Sequence, residues 1–217
     1  IYEINNKPHL CIDMELVNGG SVEDILKERY LSVVEAIRIF INVLHGLEHA
    51  HNMDYLHRDI KPGNILVDNT NAKVSDFGLA YELKGNSFAP CYGYISHFAP
   101  ESFQNNTMTK QTDVYAAGVT LFRMVNNYSD WIHLVQSVPN HDAKLKNGAI
   151  LKTIGYQKYV PKRLIRIINA ATNSQITKRY KSVIEFRQAL EKLRPTIKWN
   201  PQNDFHWIGR DLTDHRS

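Results

Sequence analysis

Between Tyr55 and Asp68 the chain reads Tyr-Leu-His-Arg-Asp-Ile-Lys-Pro-Gly-Asn-Ile-Leu-Val-Asp. His57, Arg58, Asp59, Lys61 and Asn64 fall within eight residues, and the apolar run Ile65–Leu66–Val67 follows at once. These residue types match what phosphoryl transfer needs: metal ions on phosphate oxygens, a cation near the moving group, and an acceptor for a hydroxyl proton. Asp59 and Asn64 stand five apart with Lys61 between them. Asp76 comes twelve residues after Asn64, across a strand–turn–strand pattern that can return it to the same place. Asn64 and Asp76 offer two hard oxygen donors, which suits magnesium because it takes few protein ligands and leaves room for phosphates. Asp59 is left to orient the attacking hydroxyl.

The elements that must position this loop are partly legible. Asn5–Asn6–Lys7–Pro8 reads as a turn between the runs Ile1–Ile4 and Leu10–Leu16, giving a hairpin that ends at Gly19–Gly20. Ser21 with Asp24 predicts a capping box and a short helix. Ser32 with Glu35 predicts a second box and a helix to about Asn52, with Val33, Ile37, Phe40, Ile41, Leu44 and Leu47 on one face. Two short strands are expected at Ile65–Val67 and Ala72–Val74. From Asp76 to Glu101 no period is visible, and an irregular segment of that length in a compact domain is functional or disordered. Helical patterning returns at Thr112–Val125 and Pro161–Ala171, where Pro161 suits a first turn, and a third box at Ser182–Glu185 starts a helix to Leu193. The stretch from Pro195 to Ser217 holds Trp199 and Trp207 without a clear period.

Length and composition bound the rest. The 217 residues are 43% hydrophobic and 22% charged, with a net charge of +4, ordinary for a globular domain. The densest basic stretch, Lys178–Arg179–Tyr180–Lys181, is too short for a nucleic-acid stripe. Cys11 and Cys91 make no disulfide framework. No apolar run reaches the roughly 18 residues of a membrane span and no signal peptide opens the sequence, so no membrane contact and a cytoplasmic location are the expectations. His45 and His49 are four apart on one helix, but no H-E-x-x-H zinc motif is present.

His57-Arg-Asp-Ile-Lys-Pro-Gly-Asn64 resembles the catalytic loop of protein kinases, Asp76-Phe-Gly78 their magnesium-binding motif, and Ala99-Pro-Glu101 the end of their activation segment. Asp113-Val-Tyr-Ala-Ala-Gly118 resembles the family's central helix, and Lys178-Arg-Tyr180 the site whose arginine pairs with Glu101. The resemblance covers Ile1 to about Leu193 and implies an α+β fold: a mainly helical large lobe over 17–194, a hairpin remnant of the small lobe and hinge over 1–16, and a tail over 195–217. It also implies a eukaryotic-like serine/threonine kinase that uses ATP and Mg2+ on a protein substrate.

Residue by residue, the resemblance makes Asp59 the base or orienter, places Lys61 at the transferred phosphate, and gives Asn64 and Asp76 to magnesium. Met14 resembles the gatekeeper, Glu15 and Val17 would offer backbone groups to adenine, and Ser21 sits where ribose is contacted. Phe77 should pack on His57, Glu101 should pair with Arg179, and Asp113 should hold the loop backbone. Arg58 would meet a phosphate on the 78–99 segment, with Ser87 the preferred acceptor, or else an acidic side chain.

Two departures matter. The loop before Ala99 carries Tyr94 and His97 where the family has a threonine and a tyrosine. No glycine-rich loop and no partnered strand lysine precede the hinge in this sequence, and lysines such as Lys73 fall in the wrong elements. Either a separate or missing small-lobe segment completes the ATP clamp, or the chain is a kinase-like binding module that regulates a partner without transfer. The complete set Asp59, Lys61, Asn64 and Asp76 favours the enzyme.

Overall fold

The computed structural model describes residues 2–4, 7–9, 13–68, 71–193, 197–203 and 206–211. Strands β1 (Tyr2–Ile4) and β2 (Lys7–His9) pair antiparallel with Ile4 opposite Lys7. The hairpin is therefore tighter than the sequence predicts. Its second strand begins at Lys7 rather than Leu10, residues 13–17 carry no regular element, and the turn residues Asn5 and Asn6 lie outside the described residues.

Helix α1 (Val22–Glu28) starts at the expected capping box: the Asp24 N–H donates to Ser21 Oγ at 3.1 Å and the Ser21 N–H to Asp24 Oδ2 at 3.1 Å. Helix α2 (Val33–Asn52) starts at Ser32, whose hydroxyl accepts the Glu35 N–H at 3.2 Å. Only half of that predicted box forms, because the Glu35 carboxylate takes Arg29 instead, at 2.6 and 3.1 Å. An ion pair within reach outcompetes a neutral N–H donor.

Strand β3 (Tyr55–Leu56) leads into the His57–Asn64 loop, which ends in a tight turn at Pro62–Asn64. Strands β4 (Ile65–Asp68) and β5 (Asn71–Val74) form the predicted hairpin, with Ile65 opposite Val74. The aperiodic segment is pinned by short pairings. Strand β6 (Tyr81–Glu82) pairs with β3, and β7 (Ala89–Pro90) pairs with β8 (Thr107–Met108), which follows helix α3 (Pro100–Asn105).

Helix α4 (Lys110–Asn126) is buried on every side from Thr112 to Asn126, as a helix at the centre of a domain must be. Around it lie α5 (Trp131–Ser137), α6 (His141–Asn147), α7 (Ile150–Ile154), α8 (Lys162–Ala171) and α9 (Val183–Glu191). Pro161 caps α8 rather than entering it. The third box also half-forms: Ser182 Oγ accepts the Glu185 N–H at 3.3 Å, while Glu185 Oε2 accepts the Lys181 N–H at 2.8 Å. One apolar core runs through Val22, Phe40, Leu44, Leu47, Phe122, Leu164 and Phe186, each fully buried and each contributing about 1.5–3 kcal/mol.

The tail is more ordered than its sequence suggests. Strands β9 (Ile197–Asn203) and β10 (His206–Asp211) form an antiparallel hairpin with an irregularity at His206/Trp207. Trp207 stacks on Tyr159 at 3.6 Å between ring centroids and meets Tyr30 edge-on at 6.5 Å. Among the described residues no helix is long and apolar enough to cross a membrane.

Candidate active site

The loop from His57 to Asn64 is held by α4 from below. Asp113, 1% exposed in the first turn of α4, accepts the His57 N–H on Oδ2 at 2.9 Å and the Arg58 N–H on Oδ1 at 3.0 Å. His51, at the end of α2, places Nε2 2.9 Å from the same Oδ2. Burial, the largest effect on this carboxyl, works to raise its pKa. The His51 hydrogen bond and charge, with the His57 contacts, outweigh burial and hold the group below the ordinary carboxylate range. Two turns further along, Thr120 Oγ1 donates to the Ile60 carbonyl at 3.0 Å. The role expected of Asp113 is thus seen in its contacts, while His51 and Thr120 escaped sequence reasoning. A histidine 62 residues from its partner and a threonine inside an apolar helix give no local signal.

With its backbone fixed, the loop turns its functional side chains together. Asp59, 6% exposed, accepts Lys61 Nζ at 2.6 Å and Asn64 Nδ2 at 2.8 Å, both on Oδ2. Asn64 Nδ2 also donates to the Asp59 carbonyl at 2.8 Å, which leaves the side-chain oxygen Oδ1 of Asn64 as the end available to a cation. The Ser75 N–H donates to the main-chain carbonyl of Asn64 at 2.9 Å, so Asn64 and Asp76 flank the open end of the β4–β5 hairpin. Asp76 is exposed and sits in the left-handed region at φ 59°, with its carboxylate accepting the Gly78 N–H at 3.3 Å. An exposed carboxylate beside an amide oxygen fits a magnesium ion that keeps several waters. The Phe77 ring lies 4.8 Å from the His57 ring, as the resemblance implies, yet Phe77 remains 46% exposed.

The residues expected to form the hinge run along the same hairpin. The Gly20 carbonyl accepts the Val67 N–H at 3.0 Å, and Ser21 bridges to Leu66. A Cβ on Gly19 would lie 2.0 Å from the Val67 carbonyl oxygen, so only glycine lets the chain pass this close. Met14 is 66% exposed, Val17 is half-buried, and Glu15 pairs with Lys73 of β5. The Ser21 hydroxyl donates to Asp24 at 2.6 Å and accepts the Asp24 N–H, so a single lone pair remains for any further donor.

Arg58 meets neither a carboxylate nor the Ser87 side chain among the described residues. Its Nε donates to the Leu79 carbonyl at 2.6 Å and its Nη1 to the Pro90 carbonyl at 2.8 Å. The guanidinium carbon lies 5.1 Å from the Tyr81 ring centre and 5.6 Å from that of Tyr92. Gly93 completes the latch, since a Cβ there would fall 2.1 Å from the Arg58 carbonyl oxygen. Cys91 is half-buried, and that burial, with Arg58 opposing, pushes its thiol pKa up and disfavours the thiolate.

At the far end of the segment, Arg179 and Glu101 pair at 2.6 and 2.9 Å, as the resemblance implies. A buried arginine thus lies under the end of the segment, a buried aspartate under the loop, and Asp59, Lys61 and Asn64 cluster above them. The family model of the protein kinase domain matches residues 1–196, and the chain belongs to that family. It is 35% identical over 128 residues to CBL-interacting serine/threonine-protein kinase 21 of Arabidopsis thaliana, covering 58% of this chain and 31% of that protein. It is 29% identical over 189 residues to probable serine/threonine-protein kinase PknB of Lactococcus lactis, covering 80% of this chain and 28% of that one. Against serine/threonine-protein kinase PrkC of Bacillus subtilis it is 34% identical over 131 residues, with 58% of this chain and 20% of the relative covered. The chain thus spans less than a third of the length of these relatives.

Proposed function

We propose that the chain carries the active site of a serine/threonine protein kinase, which moves the γ-phosphate of ATP to a protein hydroxyl. The observation that carries this reading is the Asp59 carboxylate, held on one oxygen by both Lys61 at 2.6 Å and Asn64 at 2.8 Å inside a loop fixed at its backbone. Asp59 orients the substrate hydroxyl and receives its proton, and Lys61 steadies the transferred phosphate. Asn64 and Asp76 hold magnesium, which when bound neutralises charge on the phosphate oxygens. Backbone groups of Glu15 and Val17, next to Met14, take adenine, and the remaining lone pair of Ser21 accepts from ribose. The exposed Met14, Leu16 and Phe77, at 66%, 81% and 46%, support a covering segment outside residues 1–217 that supplies the rest of the ATP clamp.

Labelled ATP with magnesium and a protein acceptor tests the proposal. The intact protein should transfer label, and Asp59→Asn should lower the rate by roughly 10²–10⁴, the usual worth of a positioned proton acceptor. Equal transfer by both proteins would remove Asp59 from the chemistry. No transfer by either would favour the reading as a regulatory module that binds a partner.

A further inference from the structure

The two departures on the substrate-side loop, Tyr94 and His97, come together. Their ring centroids lie 4.9 Å apart with the planes tilted by 40°, and His97 meets Trp131 edge-on at 5.9 Å. Beside them opens a cavity of about 340 Å³ whose walls include Glu23, Lys27, Tyr94, Asp130, Trp131 and Ile132. Behind two of these walls lies Arg123 of α4, 1% exposed. Its Nη2 donates to both oxygens of Glu23, at 2.7 and 3.0 Å, and its guanidinium carbon lies 5.5 Å from the Trp131 ring centre.

Glu23 is paired with Arg123. Lys27 and Asp130, which also line the cavity, carry opposite formal charges, and Asp130 accepts the His133 N–H at 3.2 Å. His97 is neutral, because burial first, then Arg123 and Lys61, push its pKa well below the usual imidazole value. A formally neutral cavity with two aromatic walls and a 45% exposed isoleucine suits an apolar side chain.

The cavity also lies close to the proposed chemistry. Lys61 Nζ sits 5.3 Å from the Tyr94 ring centre and 2.6 Å from Asp59 Oδ2. An extended peptide covers about 3.3–3.6 Å per residue, so two or three residues span that path.

We propose that this cavity receives an apolar side chain of the protein substrate, two or three residues from the accepting hydroxyl, and that Arg123 sets the preference by occupying Glu23. The proposal rests on the kinase reading above. A free Glu23 would draw a basic side chain; bound to Arg123, it no longer has an unmatched charge to offer.

Peptides with a central serine test it on the intact protein, each flanking position out to four residues being set in turn to leucine, arginine, glutamate or alanine. Leucine at one position within three residues of the serine should raise kcat/KM about tenfold or more over alanine, within the range of about 10–200-fold for apolar pockets. Arginine and glutamate there should not. Arg123→Gln should turn the preference toward arginine. Because a buried arginine can be needed for folding, Ile132→Asp on the exposed rim is the second variant, and it should bring the leucine-to-alanine ratio near one. A preference for arginine or glutamate in the natural protein, or a ratio unmoved by Ile132→Asp, overturns the proposal. Fluorescence anisotropy of the same peptides separates the two readings. Tighter binding of the leucine peptide without any transfer sinks the kinase reading and keeps the cavity, whereas equal binding of the leucine and alanine peptides sinks the cavity.

Discussion

Asp113 and Thr120, seven residues apart on α4, hold the same loop at two points: Asp113 through the N–H groups of His57 and Arg58, Thr120 through the carbonyl of Ile60. Seven residues is close to two full turns, so both side chains leave one face of the helix. Asp59 lies between the residues they hold, and its position is therefore set by a helix 54 residues later in the chain.

Thr120→Val keeps the shape and removes the donor. It leaves the Ile60 carbonyl without its Thr120 partner and should cost about 1–3 kcal/mol. Thermal unfolding should fall by several degrees, at about 2–4 °C per kcal/mol for a chain of this size. The transfer rate should fall several-fold with KM little changed. A lower melting temperature with an unchanged kcat would make Thr120 a plain packing residue.

Asp113→Asn should destabilise the protein by about 3–5 kcal/mol, the range for breaking a buried charged network. The effect depends on pH in a defined direction. The folded Asp113 pKa lies below its ordinary value, so its contribution is fully present above the unfolded pKa, near 3.9, and is lost as pH falls through the folded pKa. Denaturant midpoints of wild type and variant should differ by a constant amount above about pH 5 and converge below about pH 4. A gap that widens on acidification would reverse the sign assigned to Asp113.

Arg58 already has partners in the Leu79 and Pro90 carbonyls and the Tyr81 and Tyr92 rings. Phosphatase treatment and Ser87→Ala should therefore each leave the transfer rate within about twofold. Arg58→Met should lower it roughly tenfold or more, since hydrogen bonds from a charged group are worth about 1.5–3 kcal/mol each. Rates before and after phosphatase, with mass spectrometry of the 78–99 segment, decide the matter. Activity that disappears with a phosphate would instead support the switch expected from the sequence.

Arg179 uses its whole donor fork: two contacts to Glu101, one to the Gln111 carbonyl and two to the Asn173 carbonyl, between 2.6 and 3.1 Å. Its side chain is fully buried. Arg179→Lys keeps the charge but cannot reproduce five donors in one plane. It should cost about 3–5 kcal/mol and lower the melting temperature by about 10 °C. A calorimetric scan within two or three degrees of the wild type would refute this.

The sequence alone carried what depends on near neighbours. Asp59, Lys61 and Asn64 share one loop, and the hairpin after them brings Asp76 back, so their grouping follows from spacing and a local turn. The Ser21 box and the face of α2 are likewise written in steps of three and four residues, whereas α4 starts at Lys110, two residues before the pattern suggests, because Thr109 and Thr112 form a capping box there. The ladder of short pairings that orders the 76–101 segment was not legible, because two-residue strands leave no period. The tail hairpin was missed for a related reason: Trp207 finds Tyr159 and Tyr30 only after both have been brought together by the helical body. Tertiary structure also decided which partner wins when several compete. Glu35 left its capping box for Arg29, Arg58 found the carbonyls of Leu79 and Pro90 and the rings of Tyr81 and Tyr92, and Glu23 was matched by an arginine 100 residues away. Such choices turn on burial and distance in three dimensions, where a buried charge must find its counterpart, and linear spacing carries no record of either.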